Sequence, residues 1–176
     1  MKLILLHGPP AVGKYTTAKS LSSIIPAKIL HNHLIVDLSL SIYDNFGDED
    51  FFDFNTELRL MAINKALDLN CTYLVMTYCY SYPHDNSYLE KLLVFCDKNC
   101  VDLRPVHISC DEDILFERVQ DETRIKTNKV SEIEVLSDLL ETRCYTAINH
   151  KNTISFNNSN ISVENIAKEI VSRITF

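Results

Sequence analysis

The sequence predicts an α/β fold in which helices cover both faces of a parallel sheet. Five short runs rich in Leu, Ile and Val recur along the chain, at residues 2–7, 27–31, 73–79, 103–109 and 153–156. The segments between these runs are long enough for helices, and alternating strands and helices form right-handed crossovers between parallel strands. With 176 residues and no dividing linker or internal repeat, the chain is expected to form a single domain, residues 1–176.

Each predicted strand is followed by at least one predicted helix. The candidate helices occupy residues 14–23, 33–43, 53–69, 87–98, 111–119, 131–145 and 163–174. Two helix starts carry polar signals: Asp111 offers an N-cap just after the fourth strand, and Ser131 with Glu134 has the spacing of a capping box. The order is therefore strand then helix throughout, with an extra helix pair after the second strand.

One stretch departs from this alternation. Residues 120–130, QDETRIKTNKV, are polar and have no apolar period, although helical patterns flank them on both sides. We expect a mobile surface loop here. Loops of this length in a compact domain often serve as lids or binding loops, so residues 119–130 are the candidate lid.

The composition excludes several function classes. Lys and Arg number 17 and Asp and Glu 24, for a formal charge of −7, which argues against partners that are nucleic acids or anionic membranes. The six cysteines form no CxxC pair and no zinc-ligand spacing, which indicates a reducing compartment. No apolar run fits a signal peptide or approaches the roughly 18 residues of a spanning helix, so we expect a cytoplasmic protein. The oligomeric state stays open.

The clearest motif is a phosphate-binding loop between the first strand and the first helix. It matches GxxxxGK and consists of Gly8, Pro9, Pro10, Ala11, Val12, Gly13 and Lys14. Such a loop aims backbone N–H groups at phosphate oxygens, the helix N-terminus adds partial positive charge, and the lysine bridges the outer phosphates. The motif predicts binding of a nucleoside triphosphate.

Position 15 departs from the usual form of this motif. Tyr15 stands where Ser or Thr normally offers a hydroxyl to Mg²⁺, and Thr16 follows it. Both residues are expected to lie at the nucleotide. No side chain is predicted to be a metal ligand, so Mg²⁺ is expected to be held through phosphates and water.

These features resemble the P-loop kinase superfamily of small phosphotransferases, which includes nucleoside monophosphate, shikimate and gluconate kinases and the chloramphenicol phosphotransferase and zeta-toxin groups. The segments GPPAVGKxT and HNHLxxDL are similar to an uncharacterised branch of it. The resemblance implies a three-layer α/β/α fold with five parallel strands in the order 2-3-1-4-5, ATP as the nucleotide, an acceptor site over the end of the second strand, and a lid that carries arginines.

Ligands of open α/β sheets bind beyond the carboxyl ends of the strands. The second strand ends at His31, Asn32 and His33, and Asp37 lies one helical turn further on. His31, His33 and Asp37 are candidates for the general base, since a histidine pKa lies near working pH. Asn32 is a candidate contact to the acceptor. The alternative is that His31 ends the strand and Asp37 caps or solvates a helix.

Three further residues are candidates for acceptor binding. Arg59 lies where shikimate-type kinases, by resemblance, carry an arginine that binds the acceptor's anion; alternatively it is an exposed cation near Glu57. Tyr78 and Tyr80 end the third strand, where the superfamily often has an aspartate that this chain lacks. They are either acceptor contacts or packing residues.

Arg118, Arg124 and Lys126 cluster around the candidate lid. By resemblance, Arg118, at the end of the fifth helix, would lie against the adenine and Arg124 would stabilise the transferred phosphate, since phosphoryl transfer needs cations near its equatorial oxygens. Asn157 and Asn158 follow the last strand, where the superfamily wraps the purine with backbone groups. The alternative is a solvated basic loop that offsets nearby carboxylates.

Two hypotheses for function remain. The first is an ATP-dependent kinase that transfers the γ-phosphate to a small polar or anionic acceptor. The second is a nucleotide-binding regulatory or partner-binding protein with little transfer activity, which Tyr15 and the missing aspartate favour.

Overall fold

The computed structural model describes residues 1–125 and 129–174 and confirms the predicted fold class. Five parallel strands form one sheet in the order β2-β3-β1-β4-β5. The strands are β1 (Lys2–His7), β2 (Ala27–Leu30), β3 (Tyr73–Tyr78), β4 (Asp102–Ser109) and β5 (Ile154–Asn157). The central strand β1 pairs with both β3 and β4, so its carboxyl end lies in the middle of the edge where ligands bind to such sheets.

The helices follow the strands in the predicted order. They are α1 (Lys14–Ile24), α2 (Asn32–Leu40), α3 (Phe51–Asp68), α4 (Asn86–Lys98), α5 (Glu112–Val119), α6 (Glu122–Ile125), α7 (Ile133–Thr142) and α8 (Val163–Ile174). None of the helices in the described ranges is long and apolar enough to cross a membrane.

The core has two layers, one on each face of the sheet. Ile4 and Leu6 of β1 belong to a buried cluster shared with α1, α5, α7 and α8, whereas Leu3 and Leu5 belong to a cluster shared with α3 and α4. Successive strand residues point to opposite faces, and both faces here are covered, which explains why β1 is apolar without interruption.

Several predicted boundaries were wrong for local reasons. The capping box does not form: α7 begins after Glu132, which provides no side-chain cap. Asp111 is the N-cap residue of α5 but also makes no side-chain cap, because its carboxylate accepts a hydrogen bond from Asn157. β2 ends at Leu30, one residue earlier than predicted, because His31 is the N-cap residue of α2.

Candidate nucleotide and acceptor site

The phosphate loop is closely fitted against the neighbouring strand. Gly8 has φ of +143°, and a Cβ atom at this position would lie 2.0 Å from the carbonyl oxygen of Ile108 on β4. Gly13 has φ of +92° where the loop meets α1, and Ala11 has φ of +64°. The two glycines of the motif are thus required by backbone geometry, Gly8 by close approach and Gly13 by its left-handed conformation.

The Lys14 side chain folds over the loop that precedes it. Its Nζ donates hydrogen bonds to the carbonyl oxygens of Gly8 at 2.8 Å and Pro9 at 2.6 Å. The ammonium group therefore lies at the N-terminus of α1, where the helix adds partial positive charge. This is the environment that a polyphosphate requires, so the loop fits the nucleotide that its sequence predicts.

Asn158 holds the phosphate loop to the far end of the chain. Its side chain is buried; Nδ2 donates to the carbonyl oxygen of Val12 at 2.6 Å, and Oδ1 accepts from Arg118 Nη1 at 3.0 Å. Its backbone N–H donates to the carbonyl of Ser109 at 2.9 Å. The turn after β5 and Arg118 of α5 thereby hold the phosphate loop in place.

Asn157, the neighbouring residue predicted to contact the purine, has its side chain at the surface. Asn157 is exposed, donates to Asp111 Oδ1 at 3.3 Å and accepts from the backbone N–H of Ser159 at 2.8 Å. Its contact with the purine stays a prediction, as does that of Arg118. The strand period could have identified Asn158, because alternate residues share a face and Phe156 is buried.

The Tyr15 side chain turns away from the loop toward the acceptor end of the sheet. Its ring centroid lies 4.7 Å from that of His31, with the planes inclined by 60°. Two threonines follow it, and the hydroxyl of the second, Thr17, is buried and donates to the Gly13 carbonyl at 3.1 Å. Thr16 is exposed on the first turn of α1.

Within the described ranges, no group of three or more His, Cys, Asp or Glu residues could hold a metal ion. Mg²⁺ commonly keeps several waters and binds through substrate phosphates, which does not require such a group. Binding of Mg²⁺ through the phosphates of a nucleotide stays a prediction.

The end of β2 is tied to its neighbours by hydrogen bonds from Asn32. Its backbone N–H donates to Thr77 Oγ1 at 3.0 Å, and its side-chain Oδ1 accepts from Arg59 Nη2 at 2.8 Å. The first turn of α2 is thus connected to β3 and α3. These bonds bring Asn32 and Arg59, both predicted acceptor residues, into one cluster.

Arg59 is buried, so its interpretation as an exposed cation was wrong. Only 5% of the residue is exposed, and the guanidinium carbon lies 5.0 Å from the Tyr78 ring centroid and 5.3 Å from that of Tyr88. Among residues 1–125 and 129–174, no carboxylate lies within 4.0 Å of this guanidinium. A buried cation without a counter-charge is costly, so Arg59 stays a candidate for binding an anion.

Tyr78 and Tyr80 use their hydroxyl groups within the protein. Tyr78 donates to Asp85 Oδ1 and Tyr80 to Asn86 Oδ1, each at 2.8 Å. Burial, followed by the charge of Asp85, raises the pKa of both phenols. Asp85 also accepts from the backbone N–H of Ser81 at 2.7 Å. A carboxylate therefore lies beside the end of β3, although none follows this strand directly in the sequence.

The candidate bases lie along the start of α2. His33 Nδ1 is 3.8 Å from Asp37 Oδ1, too far for a hydrogen bond. Burial is the main cause that lowers the pKa of His31 and of His33; the charge of Lys129 adds to it, and that of Asp37 opposes it. Both imidazoles are therefore neutral at pH 7 and able to accept a proton.

Two histidines that the sequence analysis missed lie on the strands below the loop. His7 and His107 are paired in register on β1 and β4, and their ring centroids are 5.1 Å apart. His7 is fully buried, and neither ring nitrogen has a hydrogen-bond partner in the part of the chain that the structure describes. Burial, then the charges of His107 and Lys14, lowers the pKa of His7 to about 3. No sequence period distinguishes these residues from apolar strand positions.

Solved structures resemble this chain over its whole length. A tunicamycin resistance protein from Deinococcus radiodurans matches with a TM-score of 0.68 and 16% identity, over 98% of this chain and 95% of that one. An APS kinase from Mycobacterium tuberculosis, in complex with AMPPNP and APS, matches with 0.67 and 13%, over 99% and 98%. A gluconokinase from Sinorhizobium meliloti matches with 0.62 and 17%, over 99% and 91%.

This chain shares its fold with these solved structures, two of which are kinases by name. No protein-family model and no curated protein matches the sequence. The strand order that the resemblance implied is confirmed.

The candidate lid contains a short helix, α6, that the polar sequence did not predict. Arg124 lies in α6, is partly buried, and donates through Nε to the Val130 carbonyl at 2.8 Å. Burial lowers the pKa of its guanidinium. Lys126, the third predicted cation, lies outside the described residues, as do residues 127 and 128 of the candidate lid. The role of Arg124 at the phosphate stays a prediction.

Proposed function

We propose that this chain is an ATP-dependent kinase that transfers the γ-phosphate to a hydroxyl of a small anionic acceptor. The observation that carries the proposal is Arg59, a buried cation without a carboxylate partner in the described chain, located beside the end of β2. The fold brings this cation to the same edge of the sheet as the phosphate loop. A nucleotide bound at Lys14 and an anion bound at Arg59 would share one cleft.

The reaction requires one bond to form and one to break. The acceptor oxygen attacks the γ-phosphorus, the bond from that phosphorus to the β,γ-bridging oxygen breaks, and ADP leaves. Lys14 and Arg124 stabilise the charge that spreads over the equatorial oxygens. Mg²⁺, held through the phosphates of the nucleotide, would further neutralise their charge.

The acceptor proton needs a base near the end of β2. His31 and His33 are suited to this role because their lowered pKa keeps them neutral at pH 7, and Asp37 is the third candidate. Asn32 connects this group to Arg59, so the base and the anion site are held at a fixed separation.

The anionic acceptor class is supported by the chemistry of the Arg59 pocket. A guanidinium binds a planar carboxylate or a phosphate oxygen pair through two parallel hydrogen bonds, and the Tyr78 and Tyr88 rings limit its orientation. Two of the similar structures are an APS kinase and a gluconokinase, whose names denote anionic acceptors.

The test measures ADP release in the presence of ATP, Mg²⁺ and a panel of acceptors. The panel contains hydroxycarboxylates, sugar acids and phosphorylated nucleosides, with neutral polyols of matched size as the comparison. We expect ADP release with an anionic acceptor only. Arg59→Lys should raise KM for that acceptor about 10-fold with little change in kcat. Lysine keeps the positive charge but cannot donate the two parallel hydrogen bonds of a planar guanidinium.

Arg104→Lys is the matched control. Arg104 forms a two-bond pair with Asp102, at 2.8 and 3.0 Å, near the opposite end of β4, so its replacement should leave KM unchanged. Equal turnover of neutral and anionic acceptors, or an unchanged KM in Arg59→Lys, would contradict the proposed acceptor class.

The second candidate function is a nucleotide-binding protein with little transfer activity. It is favoured by Tyr15, whose ring faces His31 in place of a hydroxyl at the metal, and by Asp85, whose carboxylate is engaged by Ser81 and Tyr78. ATP binding without acceptor-dependent ADP release across the panel would support this candidate against the kinase.

A further inference from the structure

The segment that contains α2 and the start of α3 carries the whole net charge of the chain. Residues 29–58 include seven acidic residues and no lysine or arginine, whereas the formal charge of the entire chain is −7. The remaining residues are therefore neutral as a set. Within residues 1–125 and 129–174, only one of these seven carboxylates lies within 4.0 Å of a lysine or arginine, namely Asp53, at 2.7 Å from Lys91.

The same segment exposes a row of apolar side chains. Leu34, Leu38 and Ile42 follow one another at intervals of four residues, so they lie along one side of α2 and the turn after it. Phe46 and Phe52 lie beyond that turn, with their ring centroids 5.5 Å apart. These five residues form what we call the α2–α3 surface, and each of them is between 47% and 65% exposed.

The exposed rings of the α2–α3 surface are held from behind by other aromatic residues. Phe51 is fully buried, and its ring centroid lies 5.0 Å from that of Phe46 and 5.4 Å from that of Phe52. The Tyr43 ring packs on Phe51 at 5.4 Å, and the Tyr43 hydroxyl donates to Asp50 Oδ1 at 2.6 Å. The rings are therefore ordered before a partner binds, which lowers the entropic cost of binding.

The α2–α3 surface lies on a different side of α2 from the candidate bases. Successive residues of an α-helix are about 100° apart around its axis, so Leu38 lies about 140° from His33. The side between them that faces the core is occupied by Ile35, Val36 and Ser39, which are buried. An acceptor bound beside His33 would leave the row of apolar residues uncovered.

Charge decides which occupant fits the α2–α3 surface. Four carboxylates lie in the connection between α2 and α3, next in sequence to the two exposed phenylalanines: Asp44, Asp48, Glu49 and Asp50. A second copy of this chain would bring the same carboxylates against these, and an anionic membrane would be repelled for the same reason. A positively charged partner would instead be attracted, since its charge complements that of the connection.

We propose that the α2–α3 surface binds a basic amphipathic helix of another protein. The apolar face of that helix packs along Leu38, Ile42 and Phe46, and its lysines or arginines lie against the carboxylates of the connection. Residues four apart form the ridge against which a second helix packs, and apolar anchors inside a charged border are typical of this mode of recognition. The interaction does not depend on the proposed kinase reaction, because none of these residues belongs to the phosphate loop or the Arg59 cluster.

Designed peptides provide the probe. The first is a helix-forming peptide with leucines on one face and lysines on the other. The second has glutamate in place of every lysine, and the third has the composition of the first in an order that leaves no apolar face. Fluorescence anisotropy of each labelled peptide, titrated with the full chain, gives Kd. We expect binding of the first peptide alone, weakened as salt is added.

Two variants test the apolar part of the surface. Ile42→Ser and Phe46→Ser should each raise Kd for the first peptide about 10-fold or more, because each removes an apolar anchor. Leu69→Ser is the matched control. Leu69 is 70% exposed and lies at the far end of α3, about 25 Å from Phe52, so its replacement should leave Kd within about twofold.

A double variant tests the charged part. Asp44→Asn combined with Glu49→Gln should raise Kd about fivefold at low salt and reduce its salt dependence, because two exposed charges are lost. Asp68→Asn combined with Asp97→Asn removes two exposed charges near the far ends of α3 and α4 and should change neither quantity.

Absence of binding by the unsubstituted protein, or equal binding of the three peptides, would overturn the proposal. So would equal effects in the variants and their controls. Ile42→Ser keeps every aromatic contact, so it decides the test if Phe46→Ser does not fold. A dimer in sedimentation velocity that Ile42→Ser converts to monomer would assign the surface to a second copy and overturn the proposed partner.

Discussion

Replacement of Asn158 by alanine tests how the phosphate loop is held. The substitution removes two side-chain hydrogen bonds, from Nδ2 to the Val12 carbonyl at 2.6 Å and from Arg118 to Oδ1 at 3.0 Å. A neutral buried bond contributes about 1 kcal/mol and a bond to a charged donor about 2 kcal/mol, so the free energy of unfolding should fall by about 3 kcal/mol. For a chain of this length, that corresponds to a fall in Tm of about 6–12 °C.

The neighbouring asparagine provides the control. Asn157 is exposed, and both its side-chain bonds, to Asp111 at 3.3 Å and from the Ser159 N–H at 2.8 Å, are open to water. Asn157→Ala should therefore change the free energy of unfolding by less than about 0.5 kcal/mol. Urea unfolding of both variants, followed by circular dichroism, gives the two free energies. ATP affinity, measured on the folded protein, should fall in Asn158→Ala because the loop loses its outer support.

A loss below about 1 kcal/mol in Asn158→Ala, or equal losses in the two variants, would mean that the bonds to Val12 and Arg118 do not hold the loop.

Two further predictions concern the loop and the strand below it. Gly8→Ala should abolish ATP binding in a calorimetric titration, because its Cβ would lie 2.0 Å from the Ile108 carbonyl oxygen; retained affinity would show that β4 can move away. His7 has a folded-state pKa of about 3 against 6.5 in the unfolded chain, so between these values the unfolded state binds the extra proton and stability falls as pH falls. In that range the free energy of unfolding falls by about 1.4 kcal/mol for each unit by which pH falls. His7 therefore lowers the free energy of unfolding by about 2 kcal/mol between pH 7 and pH 5, and His7→Leu should remove this decrease. An unchanged difference would contradict the burial of a neutral imidazole.

The fold could be predicted from the sequence because its signals are local and repeated. Apolar runs in β1 and β3 mark strands buried on both faces, and the two glycines of the phosphate loop mark backbone conformations that other residues avoid. Side-chain caps were less predictable, since tertiary contacts compete with them. Asp111, for example, is the N-cap residue of α5 as predicted, but its carboxylate contacts Asn157 instead of the helix N–H groups.

The contacts that build the candidate site join residues far apart in sequence. Arg59 reaches Asn32 across 27 positions, and Arg118 reaches Asn158 across 40. No periodicity in the sequence indicates such a pair, so Asn32 and Arg59 could be predicted only as separate polar residues.

The bond between Asn158 and Val12 spans 146 positions and has a consequence for synthesis of the chain. The phosphate loop leaves the ribosome before the turn after β5, since chains are made from the N-terminus. Its outer support comes from that turn. A nascent chain therefore acquires a stably held phosphate loop only after all five strands of the sheet have been made.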